Sequence, residues 1–297
     1  MIIAKYKFDK SIYSNLIPVF NDGYNGYTIS DEIDSENSNH VIRTIECDTL
    51  PTLMRFGKVW VSGESATDNR TDSLLEILDM NTSGLTSCDS IFRYNTNLTS
   101  ITCNFDTSNV TTMYQMFQNC NNLISLDLSN FDTSKVTDMT SMFQNDWSLS
   151  EIVGLDEWYC PALTKVGSIF QGCSKLSRLD LSNWKKGLEG EEVIVEVYSL
   201  ANNTGTTYLD ISGFRFVENV NFAHTFQWSL TTLKWSNWDS TISISHLTEL
   251  SQQSVVDLVA NLAEVSDNET LTLGATLLAY LTEEQIAVAV NKGWTIE

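Results

Sequence analysis

The sequence predicts an α/β fold of stacked units: a solenoid with a parallel β-sheet on one face and short helices or turns on the other. Two signatures recurring along most of the 297 residues predict it, and an apolar content of 42% suffices for a continuous core. The first signature is L-x-x-L-x-L. Its central apolar residue falls at Leu78, Ile101, Leu126, Ile152, Leu179, Leu209 and Leu233, in steps of 23, 25, 26, 27, 30 and 24 residues. The second is [VL]-T-x-(apolar)-x-x-[MI]-F. It reads Leu85/Cys88/Ile91/Phe92, Val110/Met113/Met116/Phe117, Val136/Met139/Met142/Phe143 and Leu163/Val166/Ile169/Phe170. Phe226 continues the Phe column, and Leu200 stands in for it in a divergent fifth unit.

Alternation in the first signature sends successive side chains to opposite faces of a strand. The i, i+3, i+6/7 spacing of the second gives one apolar face on a short helix or helical turn. Neither element buries its face alone, so stacking would create a shared spine, with strands about 4.8 Å apart. Strict repetition of the Met and Phe columns assigns them to core packing and not to a cofactor box. A third column, Asn130-Phe131, Asn183-Trp184 and Asn237-Trp238, with Gly213-Phe214 as a variant, places an Asn just after the strand, where it can bond the turn backbone and form an Asn ladder.

Both ends depart from the repeat. Residues 1–66 read as a small β-rich domain, with alternation over Ile2–Phe8, Val41–Cys47 and Val59–Val61 and a turn-rich stretch from Asn21 to Asn39. Such a domain would either dock the repeats onto a larger body or seal the open end of their core. The repeats then occupy residues 67–245. Residues 246–297 read as a helix-strand-helix-strand cap: an amphipathic helix from Ser251 to Leu262, a strand at Leu271–Leu273, a capping box at Thr282/Gln285, a stop at Gly293 and a last strand at Trp294–Ile296.

The units Phe105-Asp-Thr-Ser-Asn-Val110-Thr-Thr-Met113-Tyr-Gln-Met116-Phe117 and Phe131-Asp-Thr-Ser-Lys-Val136-Thr-Asp-Met139-Thr-Ser-Met142-Phe143 resemble the BspA-like leucine-rich repeats of bacterial surface proteins. The resemblance covers about residues 72–240, is specific over 98–184, and loosens where Gly187-Leu-Glu-Gly-Glu-Glu lengthens a connection. It implies a leucine-rich-repeat solenoid that binds something extracellular. The C-terminal pattern, joined to Met-rich repeats, resembles bacteriophage-encoded members of that family.

A formal charge of −21 argues against wrapping nucleic acid or lying on an anionic membrane. No stretch is long and apolar enough to insert in a bilayer. The start does not read as a signal peptide, because Lys5, Lys7 and Asp9 interrupt any apolar run. The six cysteines, Cys47, Cys88, Cys103, Cys120, Cys160 and Cys173, make no CxxC pair, and their places in the repeat suit small buried hydrophobes kept as free thiols.

Catalysis is not expected, nor is any cofactor. His40, His224 and His246 have no fixed spacing to a nucleophile or paired carboxylate, and no phosphate-binding, zinc-protease or nucleophile-elbow motif occurs. The informative surface is the outward face of the strands. One column reads Asp79, Thr102, Asp127, Val153, Asp180, Asp210 and Lys234, and its neighbour reads Ile77, Ser100, Ser125, Glu151, Arg178, Tyr208 and Thr232. From these, Asp79, Asp127, Arg178, Asp180, Tyr208 and Asp210 are the candidate ligand-binding residues. Adjacent aspartates repel, so the column is either shared with a cation or basic ligand, or a hydrated face that resists aggregation. One column supplies too few oxygens for calcium.

The function expected is a non-enzymatic bacteriophage virion surface protein, a tail or fibre adhesion module or a capsid decoration. It would contact a host surface protein or glycan and other virion proteins through its N-terminal domain, as a monomer or an oligomer. The alternative is a bacterial cell-surface adhesin of the same repeat type, and an enzyme on a repeat scaffold ranks last.

Overall fold

The structure, a computed structural model, describes residues 2–11, 19–20, 27–47, 54–56, 73–102, 105–184, 198–214 and 229–297. Six strands come before or at the start of the repeats: β1 (Ile2–Asp9), β2 (Val19–Phe20), β3 (Tyr27–Ile33), β4 (His40–Cys47), β5 (Met54–Arg55) and β6 (Leu74–Met80). Each later repeat carries one short strand: β7 (Ser100–Ile101), β8 (Ser125–Asp127), β9 (Glu151–Val153), β10 (Arg178–Asp180), β11 (Tyr208–Asp210) and β12 (Thr232–Lys234). The C-terminal segment holds β13 (Ile242–Ser243), α1 (Gln252–Ala260), β14 (Glu269–Thr272), α2 (Gly274–Leu278), α3 (Glu283–Asn291) and β15 (Trp294–Ile296).

This largely β architecture corrects the expected fold class. The strands divide among five small sheets: mixed β3-β4-β1-β6-β7, parallel β10-β11-β12 and β13-β14-β15, and the pairs β2-β5 and β8-β9. No single parallel sheet runs along the described residues. The three α-helices with described bounds all lie after residue 250 and are short. The chain is therefore not the α/β solenoid with one parallel sheet and a helical cap that its periodicity predicts, and of the helices or turns expected on the second face it forms turns.

The reason lies in the backbone of the second signature. Ser90, Gln115, Ser141, Ser168 and Ser199 have φ of 57°, 55°, 57°, 56° and 51°; Tyr94, Asn119, Asn145 and Asn203 have 63°, 62°, 64° and 56°. A right-handed helix cannot pass through residues in the left-handed region. The chain instead makes tight turns, with Met116 N–H on Met113 O and Gln118 N–H on Gln115 O, both at 3.2 Å. Alternate amides leave the layer altogether: Met113 bonds Asp138 O (2.9 Å), Gln115 bonds Thr140 O (3.0 Å), and Phe117 bonds Met142 O (2.9 Å). The apolar i, i+3 spacing thus feeds a core through turns.

That core is continuous. Met113, Met116, Met139 and Met142 are fully buried. Phe56, Phe92, Phe117, Phe143 and Phe170 stack ring on ring at 6.0, 5.6, 5.7 and 5.6 Å. Beside them run Phe105, Phe131, Trp158, Trp184 and Phe214, at 5.3, 5.9, 5.4 and 5.9 Å. The near-parallel pairs of the first column and the mostly tilted or edge-on pairs of the second add to simple area burial. Leu200 is buried in the divergent unit, while Phe226 and Gly187–Glu192 lie outside the described residues.

Three smaller expectations also change. The first repeat strand is out of phase: Ile77, not Leu78, pairs with Ile101. In β6 the buried residues Leu74, Ile77 and Met80 recur every third position, and its pairing with β1 shifts register twice, so bulges break the alternation. The stretch from Asn21 to Asn39 contains a seven-residue strand, β3, antiparallel to β4. The Asn ladder is interrupted: Asn183 Nδ2 donates to Asp156 O at 2.6 Å. Amide columns occur elsewhere, at Asn119–Asn145 (3.3 Å) and along Gln118, Gln144 and Gln171, which Arg93 joins from one end. Val59 and Val61 lie outside the described residues.

In the C-terminal segment, Ser251 caps α1, and Thr282 and Gln285 form a reciprocal capping box on α3 at 2.9 and 3.2 Å. Gly293, at φ +93°, ends α3, and parallel β13-β14-β15 runs beside these helices. The segment is a mix of short helices and a small sheet, not a helical cap.

Candidate binding face

Strands β10, β11 and β12 pair in parallel register, so Arg178 faces Tyr208 and Tyr208 faces Thr232, while Asp180 faces Asp210 and Asp210 faces Lys234. Leu179, Leu209 and Leu233 point inward and are buried. Period-two alternation leaves the flanking residues on the other face. There the Arg178 guanidinium lies 3.5 Å from the centre of the Tyr208 ring, and Lys234 Nζ lies 5.3 Å from it. Arg178 also pairs with Asp180 at 2.8 Å, and Asp210 takes the Tyr208 hydroxyl at 3.2 Å and Lys234 at 3.7 Å.

The aspartates opposed across β10 and β11 are therefore balanced by cations of the same chain. Partial burial works against the charge of Arg178, yet Tyr208 and Asp180 hold its pKa above the ordinary value. Contact with Tyr208, then the carboxylates of Asp210 and Asp180, does the same for Lys234. Among the described residues, no group of three His, Cys, Asp or Glu side chains is placed to hold a metal ion.

Four of the six candidate residues come together: Arg178, Asp180, Tyr208 and Asp210. Asp127 stands apart on β8 opposite Val153. Its carboxylate accepts from Ser129 Oγ at 2.6 Å and Ser129 N–H at 3.1 Å, which hold its pKa below the usual range. Asp79 is exposed on β6, opposite Lys5 of β1, and the phase slip removes it from the column. Asp210 bonds Ser212 as Asp127 bonds Ser129, and Asp106 and Asp132 repeat the pattern with Ser108 and Ser134. The Asp-x-Ser spacing visible in the sequence marks turn-forming carboxylates. Lys234, which completes the cluster, sat in the outward column but was not among the candidates.

Beside the cluster the ladder opens. β9 closes a pair with β8, β10 begins the next sheet, and the two are not paired. A cleft of about 260 Å³ lies between them, walled by Glu151, Ile152, Leu155, Asp156, Leu176 and Arg178 among others. Its origin is one extra residue. Leu126 to Phe131 and Leu179 to Trp184 each span five positions, while Ile152 to Trp158 spans six, although Phe131, Trp158 and Trp184 stack as equivalents. Gly154 absorbs the insertion at φ +84°, and a 3₁₀ turn (Leu155–Glu157) follows and packs on β10. On the opposite face the same two layers stay closed, with Ser141 N–H on Gly167 O (2.8 Å) and Asn145 N–H on Gln171 O (2.7 Å).

Of the histidines, His40 lies near Asp34 (3.7 Å) and Asp9 (4.0 Å) on the N-terminal sheet, far in sequence from the cluster, and His224 lies outside the described residues. No described helix is long and apolar enough to cross a membrane.

One protein family, described as "Mycoplasma protein of unknown function, DUF285", matches residues 64–187, less than half of the chain. The matched stretch runs from before β6 to just past β10, and the likeness is at the level of a BspA-like repeat. No curated protein and no solved structure matches the chain.

Proposed function

We propose that the chain is a non-enzymatic binding protein whose β10–β12 face contacts a protein or glycan on a cell surface. The observation that carries this is the Arg178–Tyr208–Lys234 cluster: two exposed cations, a half-buried aromatic ring and Asp180 on one strand face, with the carboxylate of Asp210 buried beneath them. Arg and Tyr dominate energetically important contacts at protein interfaces, and a rigid strand face preorganises them. The likeness to a bacterial repeat family supports the placement at a surface. On this reading the protein works on the exterior of a bacteriophage particle, as a tail or fibre module or a capsid decoration, with the N-terminal strands joined to other virion proteins. The second reading, a bacterial cell-surface adhesin, rests on the same repeat likeness.

The test is saturable binding of the fluorescent full chain to a panel of intact bacterial cells, measured with the Arg178→Ala/Lys234→Ala variant beside it. Saturable binding that the double variant weakens supports the proposal. Binding to no cell, or binding the variant leaves unchanged, overturns the assignment of this face. Immunogold labelling of phage particles against surface proteolysis of whole bacteria separates the two locations.

A further inference from the structure

We propose that the cleft between β9 and β10 receives a cationic side chain, lysine or arginine, carried on an extended segment of a partner protein. This rests on the binding reading above and names the chemistry that one part of the surface recognises.

Three features of the cleft lead there. Its floor is apolar, formed by Ile152, Leu155 and Leu176, and suits the methylene stem of a long side chain. Its charged wall holds the carboxylates of Glu151, Asp156 and Asp180 against the single guanidinium of Arg178, which already pairs with Asp180. The charge of this lining therefore favours a cation over an anion or a neutral group. The strands on either side are not paired with each other, so an extended backbone crossing the opening meets a strand edge able to bond it.

The same surroundings disfavour a sugar. Sugar rings commonly rest on an aromatic face, and the aromatic ring next to the cleft, Tyr208, is covered by Arg178 at 3.5 Å. A volume of about 260 Å³ lies below the roughly 300–1,000 Å³ of most small-molecule sites and suits a single inserted side chain. The opening is also structural and not incidental. The one-residue insertion at Gly154 separates the layers on the strand side, while Phe143 and Phe170 remain stacked at 5.6 Å behind it.

The probe is N-acetyl-arginine amide, titrated into the methyl-labelled full chain and followed by NMR at Ile152, Leu155 and Leu176. The neutral isostere N-acetyl-citrulline amide and the neutral sugar N-acetylglucosamine are run in parallel. Saturating shifts at these methyls with arginine and not with citrulline are expected, with Leu233 methyls unmoved. Glu151→Gln/Asp156→Asn, two exposed positions, should raise Kd about tenfold. Equal response to citrulline, no saturating response to arginine, or tighter binding of N-acetylglucosamine at the same methyls would each overturn the proposal. Because the titration reads the cleft alone, cell binding that persists with an unresponsive cleft rejects this inference and spares the binding face. A responsive cleft without cell binding does the reverse.

Discussion

Cys120 and Asp146, one repeat apart, meet inside the core: the Cys120 amide donates to Asp146 Oδ1 at 2.7 Å. Oδ2 of the same carboxyl is buried without a hydrogen bond. Asp146 occupies the place that Asn95, Cys120 and Cys173 hold in their own repeats, three residues after Phe92, Phe117 and Phe170. Burial holds its pKa well above the usual carboxylate range, with the Cys120 amide opposing in part.

Asp146→Asn should therefore stabilise the protein above neutral pH. A carboxyl whose folded pKa is raised favours the folded state when protonated. Its contribution is complete below about pH 4 and is lost as pH climbs through the raised value. The new amide has a precedent in Asn95, whose Nδ2 donates to Phe92 O at 2.7 Å. Urea unfolding should show a gain of about 1–3 kcal/mol at pH 8, little gain at pH 4, and a flatter pH profile.

Phe143→Ala should cost about 3–5 kcal/mol, as for other buried aromatics truncated in a core. Phe143 stacks on Phe117 at 5.7 Å and Phe170 at 5.6 Å, so the cavity interrupts a column with rings on both sides. Thermal unfolding of the variant would read the loss directly.

Gly154→Ala should destabilise by about 1–3 kcal/mol, the usual cost of forcing a side chain into a disfavoured backbone region. Its φ is +84°, and an added Cβ would lie 2.4 Å from Ser129 Cα, backbone that cannot rotate aside. The change should also shift the methyl resonances of Ile152 and Leu155 in the cleft.

Cys88, Cys120, Cys160 and Cys173 should resist alkylation at pH 8 in the folded protein and react once it is unfolded. All four are thiols buried in the core. Burial pushes the Cys88 thiol to about 12 and lifts Cys120 and Cys173 well above their ordinary value. Peptide mapping by mass spectrometry after pulse labelling distinguishes the four sites.

Much of the packing was legible in the residues, because Met113, Met139, Phe117 and Phe143 recur at one spacing and all are buried. The choice between helix and turn in the second signature was not, since apolar i, i+3 spacing suits either, and nothing in Gln115, Ser141 or Ser168 announces a positive φ. In the aspartate column Asp127 is exposed, while Asp210 lies on the same side of its strand but is only 6% exposed; both bond a serine two residues on, at an Asp-x-Ser spacing visible in the sequence. Arg178, Asp180, Tyr208 and Asp210 were placed together by strand register alone. The cleft turned on a count of six positions where neighbouring units have five, which needs the Phe131–Trp158–Trp184 alignment to notice.

The amides of Gln118, Gln144 and Gln171 all point one way. Arg93 donates to the first, and each glutamine then donates to the next. Such a chain has a head but an indifferent middle. A duplicated layer inserted between Gln118 and Gln144 would find an acceptor ahead of it and a donor behind, leaving no amide stranded. Gain or loss of whole layers by gene duplication therefore carries little polar penalty along this edge, and length can drift while the head group stays.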